Sequence, residues 1–365
     1  MKDKTLLMIP GPTPVPESVL LEMAHSPVPH RSPEFSKILN ETTEDLKWIF
    51  QTKNDVYIFA ASGTGAMEAA LSNLINPGDK VLALVIGNFG ARWGKIAESH
   101  GAVVEKIEVP FGEVINPQVL KKRLDEDANK EIKIVTLTHS ETSTGAVNDL
   151  KELCRIIKEH GALSVVDGVT SVGAMDIKVD EWGIDVLVSG SQKGFMIPPG
   201  LSFLTASDKA FEVHKKCKYP GFYFNWSSYK KSLGENTTPF TPAVNLVCAL
   251  HKAMKMLREE GLENILQRHK HNAMLLRNSL REMGFKLFVE DDAKASYAVT
   301  SIYPIEGVSV SEIRKILKEK YDIIVANGQG DLKDKIFRIG TLGFVSERDV
   351  LSVIGALKSI VSEVK

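Results

Sequence analysis

Ser189-Gly190-Ser191-Gln192-Lys193-Gly194 is the segment of this 365-residue chain that decides its fold. A largely apolar run, Ile184 to Val188, precedes it and is typical of a buried strand. The apolar residues 195–200 follow, so little is left to solvate Lys193. A desolvated lysine has a lowered pKa and becomes a usable nucleophile and general base. The alternative is a solvated loop lysine.

A second buried strand ends on an acid. The apolar run from Leu163 to Val166 is followed directly by Asp167. Alone, Asp167 would be interpreted as a helix cap. A lysine amine that can form a Schiff base, together with a carboxylate that keeps a pyridine nitrogen protonated, is what pyridoxal phosphate requires of a protein. Lys193 and Asp167 together therefore predict this cofactor.

The segment Ser62-Gly63-Thr64-Gly65 follows an apolar run and opens a helical pattern. Its glycines let the backbone approach an anion, and the amides at the start of the helix would point at it. This predicts a phosphate site, although an ordinary strand–helix turn would show the same pattern.

Strand and helix patterns alternate from about residue 55, which predicts an α/β fold with a mostly parallel sheet covered on both faces. Ligands bind such sheets beyond the carboxyl ends of the strands. Phe89 and Thr142 follow two of these strands, so we expect them beside Asp167 and Lys193. The predicted strands are Val56–Ala60, Lys80–Ile86, Ile132–Thr138, Leu163–Val166, Asp185–Val188 and Leu201–Leu204.

The two ends of the chain have different patterns. Residues 1–33 are rich in proline and predict an extended arm with turns. After about residue 208 come long helical patterns and then a smaller α+β unit, with strands predicted at 285–289, 297–302, 323–326 and 336–339. We therefore expect an N-terminal arm (1–20), a large α/β domain (21–255) and a smaller C-terminal α+β domain (256–365).

Composition excludes several classes of protein. Lys plus Arg is 45 and Asp plus Glu is 46, which gives no support for nucleic acid or an anionic membrane as a partner. The three cysteines are odd in number and widely spaced, which argues against a disulfide framework and a metal site. No apolar run approaches the ~18 residues of a membrane span, and the initial one is too short for a signal peptide. We expect a cytoplasmic protein.

Arg338 lies in Ile336-Phe337-Arg338-Ile339-Gly340, an otherwise apolar strand pattern. Strand alternation places its side chain opposite Phe337 and Ile339. The fork of a guanidinium fits a planar anion such as a substrate carboxylate. An internal salt bridge with an acidic residue is an equal alternative.

With these residues identified, the chain resembles the class V aminotransferases of pyridoxal phosphate fold type I, in the alanine–glyoxylate and serine–pyruvate (serine–glyoxylate) branch. The resemblance covers nearly the whole chain. The Ser-Gly-Ser-Gln-Lys run followed by Pro-Pro-Gly is its most specific part. The resemblance is carried by the segments Pro10–Thr13, Ala61–Ala69, Thr138–Gly145, Asp167–Ser171, Ser189–Lys193 and Arg338–Gly340.

The resemblance implies a role for each matching residue. Lys193 would form the Schiff base and Asp167 would pair with the pyridinium nitrogen. Val169 and Phe89 would pack on the two ring faces, although tryptophan is frequent at the latter position, and Thr142 would bind the phenolic oxygen. The phosphate would be held by Ser62, Gly63, Thr64 and Gln192, and the substrate by Arg338 and Gly11. Thr241, or else Thr238, would complete the phosphate site of a neighbouring subunit, which implies a homodimer.

We therefore expect a ping-pong transaminase that moves an amino group from alanine or serine to glyoxylate or pyruvate. Lys193 would transfer the α-proton, and one clear substrate arginine suits a monocarboxylic donor. Arg31, Arg92 or the partner subunit could supply a second cation. An alternative is a class V transaminase for aspartate, phosphoserine or aminoethylphosphonate.

Three other classes are less favoured. A cysteine desulfurase needs a cysteine late in the chain, and none follows Cys248. A non-catalytic accessory subunit, as in proteins described as soluble hydrogenase subunits, does not need Lys193, Asp167 and Arg338. A nicotinamide enzyme would have Gly-x-Gly-x-x-Gly, but Glu68 stands at the third glycine position.

Overall fold

The computed structural model describes residues 5–364, so the outermost residues of the predicted arm and small domain, 1–4 and 365, lie outside the described part. Its strands, in chain order, are β1 (Leu6–Leu7), β2 (Val56–Phe59), β3 (Lys80–Val85), β4 (Val103–Glu108), β5 (Ile132–Thr138), β6 (Leu163–Asp167), β7 (Val186–Gly190), β8 (Ser202–Ala206), β9 (Val299–Ile302), β10 (Ile323–Ile324), β11 (Ala326–Asn327) and β12 (Phe337–Gly340).

Helices of 4 to 21 residues connect and cover these strands. In chain order the helices are α1 (Glu17–Met23), α2 (Pro33–Phe50), α3 (Gly63–Ser72), α4 (Asn88–Ser99), α5 (Pro117–Asp125), α6 (Leu150–His160), α7 (Val179–Trp182), α8 (Asp208–His214), α9 (Trp226–Gly234), α10 (Val244–Glu260), α11 (Leu262–Glu282), α12 (Val310–Tyr321) and α13 (Glu347–Val364). Within the described part, no helix is both long and apolar enough to cross a membrane.

The central sheet has the strand order β2-β8-β7-β6-β5-β3-β4. All neighbouring pairs are parallel except those of β8, which runs antiparallel to β2 and β7. The prediction of a mostly parallel α/β sheet is therefore confirmed. The register pairs Thr138 with Asp167, and Asp167 with Val188, so the carboxyl ends of β5, β6 and β7 meet at one edge.

Burial on both faces explains why these strands are almost continuously apolar. Every residue of β6, β7 and β8 is buried. Along β7 the side chains alternate, so Leu187 joins one core while Val186 and Val188 join the core on the other face. Each face therefore needs apolar side chains, and the period-two pattern of a half-exposed strand is absent.

The smaller unit is built on the antiparallel sheet β11-β12-β9, and its apolar core includes side chains of α11, α12 and α13. The N-terminal arm belongs partly to this unit, because β1 pairs in parallel with β10 and Met8 is buried in its core. The prediction that residues 1–33 are only an extended arm with turns is thus wrong. The arm also contains α1, which is held by the buried Val19 and packs against α10.

Two further predictions need correction. Residues 285–289 form no strand: Phe285, Leu287 and Val289 are buried, but the backbone makes only the single bridge of Leu287 to Ile302. The predicted strand at 323–326 is split between β10 and β11. The predicted domain boundary at residues 255/256 falls within α10 and stays a prediction.

Candidate active site

Most predicted site residues line one cavity of about 230 Å³ at the carboxyl edge of the central sheet. The sheet register explains this, because Asp167 ends β6, and Lys193 and Thr142 follow the ends of β7 and β5. The predicted residues on its wall are Gly11, Ser62, Gly63, Thr64, Phe89, Thr142, Asp167, Val169, Gln192 and Lys193. Pro12, Met67, Arg92, Thr170 and Pro199 complete the wall.

Lys193 is buried, with 7% of its surface exposed. Its Nζ donates a hydrogen bond to the carbonyl of Pro10 in the arm. Burial lowers the pKa of Lys193 to about 8, with Arg338 adding to the shift and Asp167 opposing it. A large fraction of the amine is therefore neutral near pH 8, as a nucleophile requires.

Gly11 allows the arm to cross Lys193 so closely. Its φ is +122°, which lies outside the conformations that L side chains readily adopt. A Cβ at this position would come within 2.8 Å of the Lys193 Nζ. A larger residue at position 11 would clash with Lys193, so only glycine fits there.

Asp167 is a buried carboxylate that no described cation contacts. Its Oδ1 accepts a 2.8 Å hydrogen bond from the Val169 amide. Burial raises the pKa of Asp167 to about 7, and the negative charge of Glu141 adds to this, whereas the Val169 hydrogen bond, Lys193 and Arg92 oppose it. Such a group is suited to a ligand that brings its own positive charge, as a protonated pyridine nitrogen does.

The loop at the start of α3 can hold an anion. Ser62 stands at the N-cap of this helix, but its side chain makes no capping hydrogen bond, so the hydroxyl is available. Gln192 lines the same cavity, where its side-chain NH₂ group can donate to an anion. The Thr64 hydroxyl accepts from Arg92 Nη1 at 2.8 Å, which leaves its own proton to donate. Together with the Lys193 amine and the Asp167 carboxylate, these groups fit pyridoxal phosphate.

Arg338 is buried but lacks a carboxylate within salt-bridge distance in the described part of the chain. Its Nη1 donates to the Thr142 carbonyl at 2.8 Å, and its Nε donates to the Asn327 carbonyl at 2.9 Å. Within residues 5–364, the alternative of an internal salt bridge is thus wrong. Burial lowers the pKa of Arg338 to about 10, against the opposing charge of Glu141. Arg338 stands just behind the cavity wall, at Thr142.

Thr238 and Thr241 lie away from this cavity in the single chain. Thr238 is buried and its hydroxyl donates to the Phe240 carbonyl at 2.8 Å, whereas Thr241 is exposed. Both border a separate small pocket beside Tyr223 and Phe240. Their role in a neighbouring subunit stays a prediction.

Several residues of the site could not be assigned from the sequence. Pro10 and Thr170 reach it through contacts between segments that are distant in the chain: the Thr170 hydroxyl lies 2.5 Å from that of Thr142. Arg92, one of the predicted sources of a second cation, lines the cavity, and its guanidinium carbon lies 4.6 Å from the centre of the Phe89 ring. Arg31, by contrast, donates to the Thr238 carbonyl at 2.6 Å.

Comparison with known proteins identifies the class. The family model "Aminotransferase class-V" matches residues 7–333. The chain therefore belongs to the class V aminotransferases, and it is an aminotransferase with the α/β architecture of fold type I.

Relatives and a solved structure match this chain over nearly its full length. The "Soluble hydrogenase, small subunit" of Synechococcus sp. is 48% identical and covers 100% of this chain and 94% of its own. The "L-aspartate--glyoxylate aminotransferase" of Paracoccus denitrificans is 36% identical, with coverages of 100% and 92%. The crystal structure of alanine–glyoxylate aminotransferase from Nostoc sp. superposes with a TM-score of 0.93 at 35% identity, covering 98% and 95%.

Proposed function

We propose that this chain binds pyridoxal phosphate through Lys193 and transfers the amino group of a small amino acid, alanine or serine, to glyoxylate or pyruvate by a ping-pong mechanism. The observation that carries the proposal is the presence of a buried amine and a buried carboxylate on the wall of one cavity. When bound, the cofactor supplies an electron sink for the bonds at the α-carbon.

The residues of the chain carry out the proton transfers and hold the cofactor and the substrate. Asp167 keeps a proton on the ring nitrogen of the cofactor, because the positive charge of the protonated nitrogen neutralises the buried Asp167 carboxylate. Lys193 moves the proton between the substrate α-carbon and the cofactor, and the Pro10 carbonyl holds the amine when it is free. Val169 and Phe89 pack on the ring. Ser62, Gly63, Thr64 and Gln192 hold the phosphate, Thr142 holds the phenolic oxygen, and Gly11 borders the substrate.

The substrate carboxylate would bind Arg338. Its guanidinium forms no salt bridge with a described acidic residue, although two backbone carbonyls fix its orientation. A carboxylate would therefore gain a charge-assisted hydrogen bond without displacing an existing ion pair. Glyoxylate as the acceptor is supported by the names of the Paracoccus and Nostoc proteins.

Aspartate is a second candidate donor. Arg92 lines the cavity and forms no salt bridge within the described residues, so a second carboxylate could reach it. The name of the Paracoccus relative, L-aspartate–glyoxylate aminotransferase, supports this candidate. Phosphoserine and aminoethylphosphonate remain further class V alternatives.

We also propose a homodimer in which Thr241 or Thr238 reaches the phosphate of the partner's site. The side chain of Phe222 is 83% exposed, and its ring centre lies 5.5 Å from that of Phe240 in this segment, which supports an interface there. Sedimentation should give a mass near twice 40.2 kDa, and a monomer that remains fully active would contradict the proposal. The cytoplasmic location stays a prediction that cell fractionation can test.

The first experiment records the visible spectrum of the purified protein and then adds one amino donor at a time. Bleaching with L-alanine or L-serine, followed by recovery with glyoxylate or pyruvate, is the expected result. Bleaching only with L-aspartate or phosphoserine would retain the transaminase but change its donor. The absence of a visible band, even after pyridoxal phosphate is added, would contradict the roles of Lys193 and Asp167.

The pH dependence of cofactor loading is a separate prediction. The neutral Lys193 amine reacts, and its pKa is lowered to about 8. The loading rate should rise about tenfold per pH unit up to pH 8 and then level off, whereas an ordinary lysine would continue to about pH 10. Stopped-flow absorbance measures this. The Asp167→Asn variant should level off at lower pH, because Asp167 raises the pKa of Lys193. A rate that is flat from pH 6 to 9 would refute the prediction.

A further inference from the structure

Glu141 is a buried carboxylate to which the proposed function gives no role. It is completely buried, it follows β5, and its side chain reaches the start of α4. Its negative charge opposes the lowering of the Arg338 pKa, but no cation forms a salt bridge with it among the described residues. Burying a carboxylate costs free energy unless hydrogen bonds compensate for the lost water. The hydrogen bonds of Glu141 therefore show what the side chain does.

The two oxygens of Glu141 hold two different segments. Oε2 accepts from the backbone amides of Phe89, at 3.0 Å, and Gly90, at 3.1 Å. Oε1 accepts from the amide of Ser143, at 3.0 Å, and from its hydroxyl, at 2.5 Å. The carboxylate therefore joins the first turn of α4 to the loop after β5.

Each of these segments carries a residue of the proposed site. The first carries Phe89, whose ring would stack on the cofactor. The second carries Thr142, which stands between Glu141 and Ser143 and whose carbonyl accepts the 2.8 Å hydrogen bond from Arg338. The backbone around Glu141 thus connects the stacking ring with the guanidinium that would bind the substrate.

Gly87 and the helix support this arrangement. A Cβ at Gly87 would lie 2.4 Å from the Glu141 Cγ, so the close approach requires glycine. The Asn88 amide donates to the Ser143 hydroxyl at 3.1 Å and ties the same two segments together. Burial raises the pKa of Glu141, but the four hydrogen bonds oppose this, and the positive end of the α4 dipole also favours the carboxylate.

We infer that Glu141 is a positioning residue that holds the Phe89 ring and the Arg338 guanidinium in place for the cofactor and the substrate. The inference rests on the proposed function of these two residues. Glu141 itself is not among the residues that line the cavity.

The decisive variant is Glu141→Gln. Glutamine has nearly the same shape, but its NH₂ group would face backbone amides that can only donate, so one of the two segments must be released. Losing hydrogen bonds to a charged group changes a dissociation constant by about 10- to 100-fold. We expect the Kd for pyridoxal phosphate and the KM for the donor to rise by that factor, with kcat much less affected and the visible band shifted.

Asp127→Asn is the matched control. Asp127 is also a buried carboxylate that accepts from two backbone amides, those of Glu131 and Ile132, but it lies at the opposite end of β5. This variant should lower the melting temperature without changing the Kd for the cofactor, the KM or the visible band. A purely structural role of Glu141 predicts the same behaviour for both variants.

Unchanged cofactor Kd, KM and visible band in Glu141→Gln would overturn the inference. If that variant does not fold, Ser143→Ala removes one of the four hydrogen bonds and should shift the same quantities by a few-fold in the same direction. Wild-type values in Ser143→Ala would then overturn it instead. Failure of the wild-type protein to bind pyridoxal phosphate would reject the proposed function itself, which distinguishes the two cases.

Discussion

Replacing Lys193 with alanine is expected to reduce transamination by at least about 10³-fold and to remove the visible absorbance of the lysine-bound cofactor. In the described part of the chain, no other lysine lines the cavity, so no second amine can substitute. Lys193→Arg should be equally inactive, because it keeps the charge but cannot form the Schiff base. Steady-state kinetics and absorbance spectroscopy measure both effects.

Lys209→Ala provides the control for this prediction. Lys209 also follows a strand of the central sheet and donates to a backbone carbonyl, that of Ala162, at 2.7 Å. It does not line the cavity, so its variant should keep both activity and absorbance. If Lys193→Ala kept the visible band and turned over normally, another residue would have to bind the cofactor.

The second large effect is expected for Asp167→Asn. Asparagine retains the shape and can still accept the hydrogen bond from the Val169 amide, but it cannot stabilise a protonated ring nitrogen by charge. We expect kcat to fall by on the order of 10²- to 10³-fold at pH 8, with the cofactor still bound through Lys193. Asp185→Asn is the control: Asp185 is a buried acid that accepts from the Ser164 amide at 3.1 Å, at the opposite end of these strands.

Stability of the cofactor-free protein gives an independent measurement on Asp167. The pKa of Asp167 is about 7 in the folded chain, above the ordinary value of about 3.9 in the unfolded chain. Protonation therefore favours folding, and this contribution is lost as the pH rises from about 4 through 7. Asp167→Asn should remove that part of the pH dependence of stability.

Two kinetic results would contradict the role of Asp167 in holding the proton on the ring nitrogen. One is a kcat of Asp167→Asn like that of the wild type, and the other is an equal loss of kcat in Asp185→Asn.

The sequence was informative where a residue's position along a strand determines its place in the fold. Asp167 ends an apolar run, and the ends of parallel strands meet at one edge, so the clustering of the cavity residues could be predicted. The buried strands were recognisable for the same reason, because both of their faces are covered.

Elements with little burial escaped prediction. The edge strand β4 has exposed or half-buried residues throughout, including Val103, so it shows no apolar run. In α1 only Val19 is buried, and the prolines before it dominate the local pattern. At 285–289 the apolar alternation is real, but it reflects side-chain burial with only the single bridge of Leu287 to Ile302, which is too little pairing for a strand.

Glu141 and Pro10 could not be assigned because their partners are distant in sequence. A buried carboxylate between Ser140 and Thr142 looks like an ordinary loop acid until the start of α4 is placed against it. The Pro10 carbonyl has no sequence signal at all, since any residue has a carbonyl. The contact with Lys193 depends on the path of the backbone.

The pairing of β1 with β10 has a consequence for the biosynthesis of this protein. Leu6 is translated long before its strand partner, Ile323, because the two residues are distant in the chain. The arm that carries Pro10 and Gly11 over Lys193 therefore cannot be fixed by this pairing until Ile323 has been synthesised. A nascent chain can form the central sheet before that point, but it acquires a complete active site only afterwards.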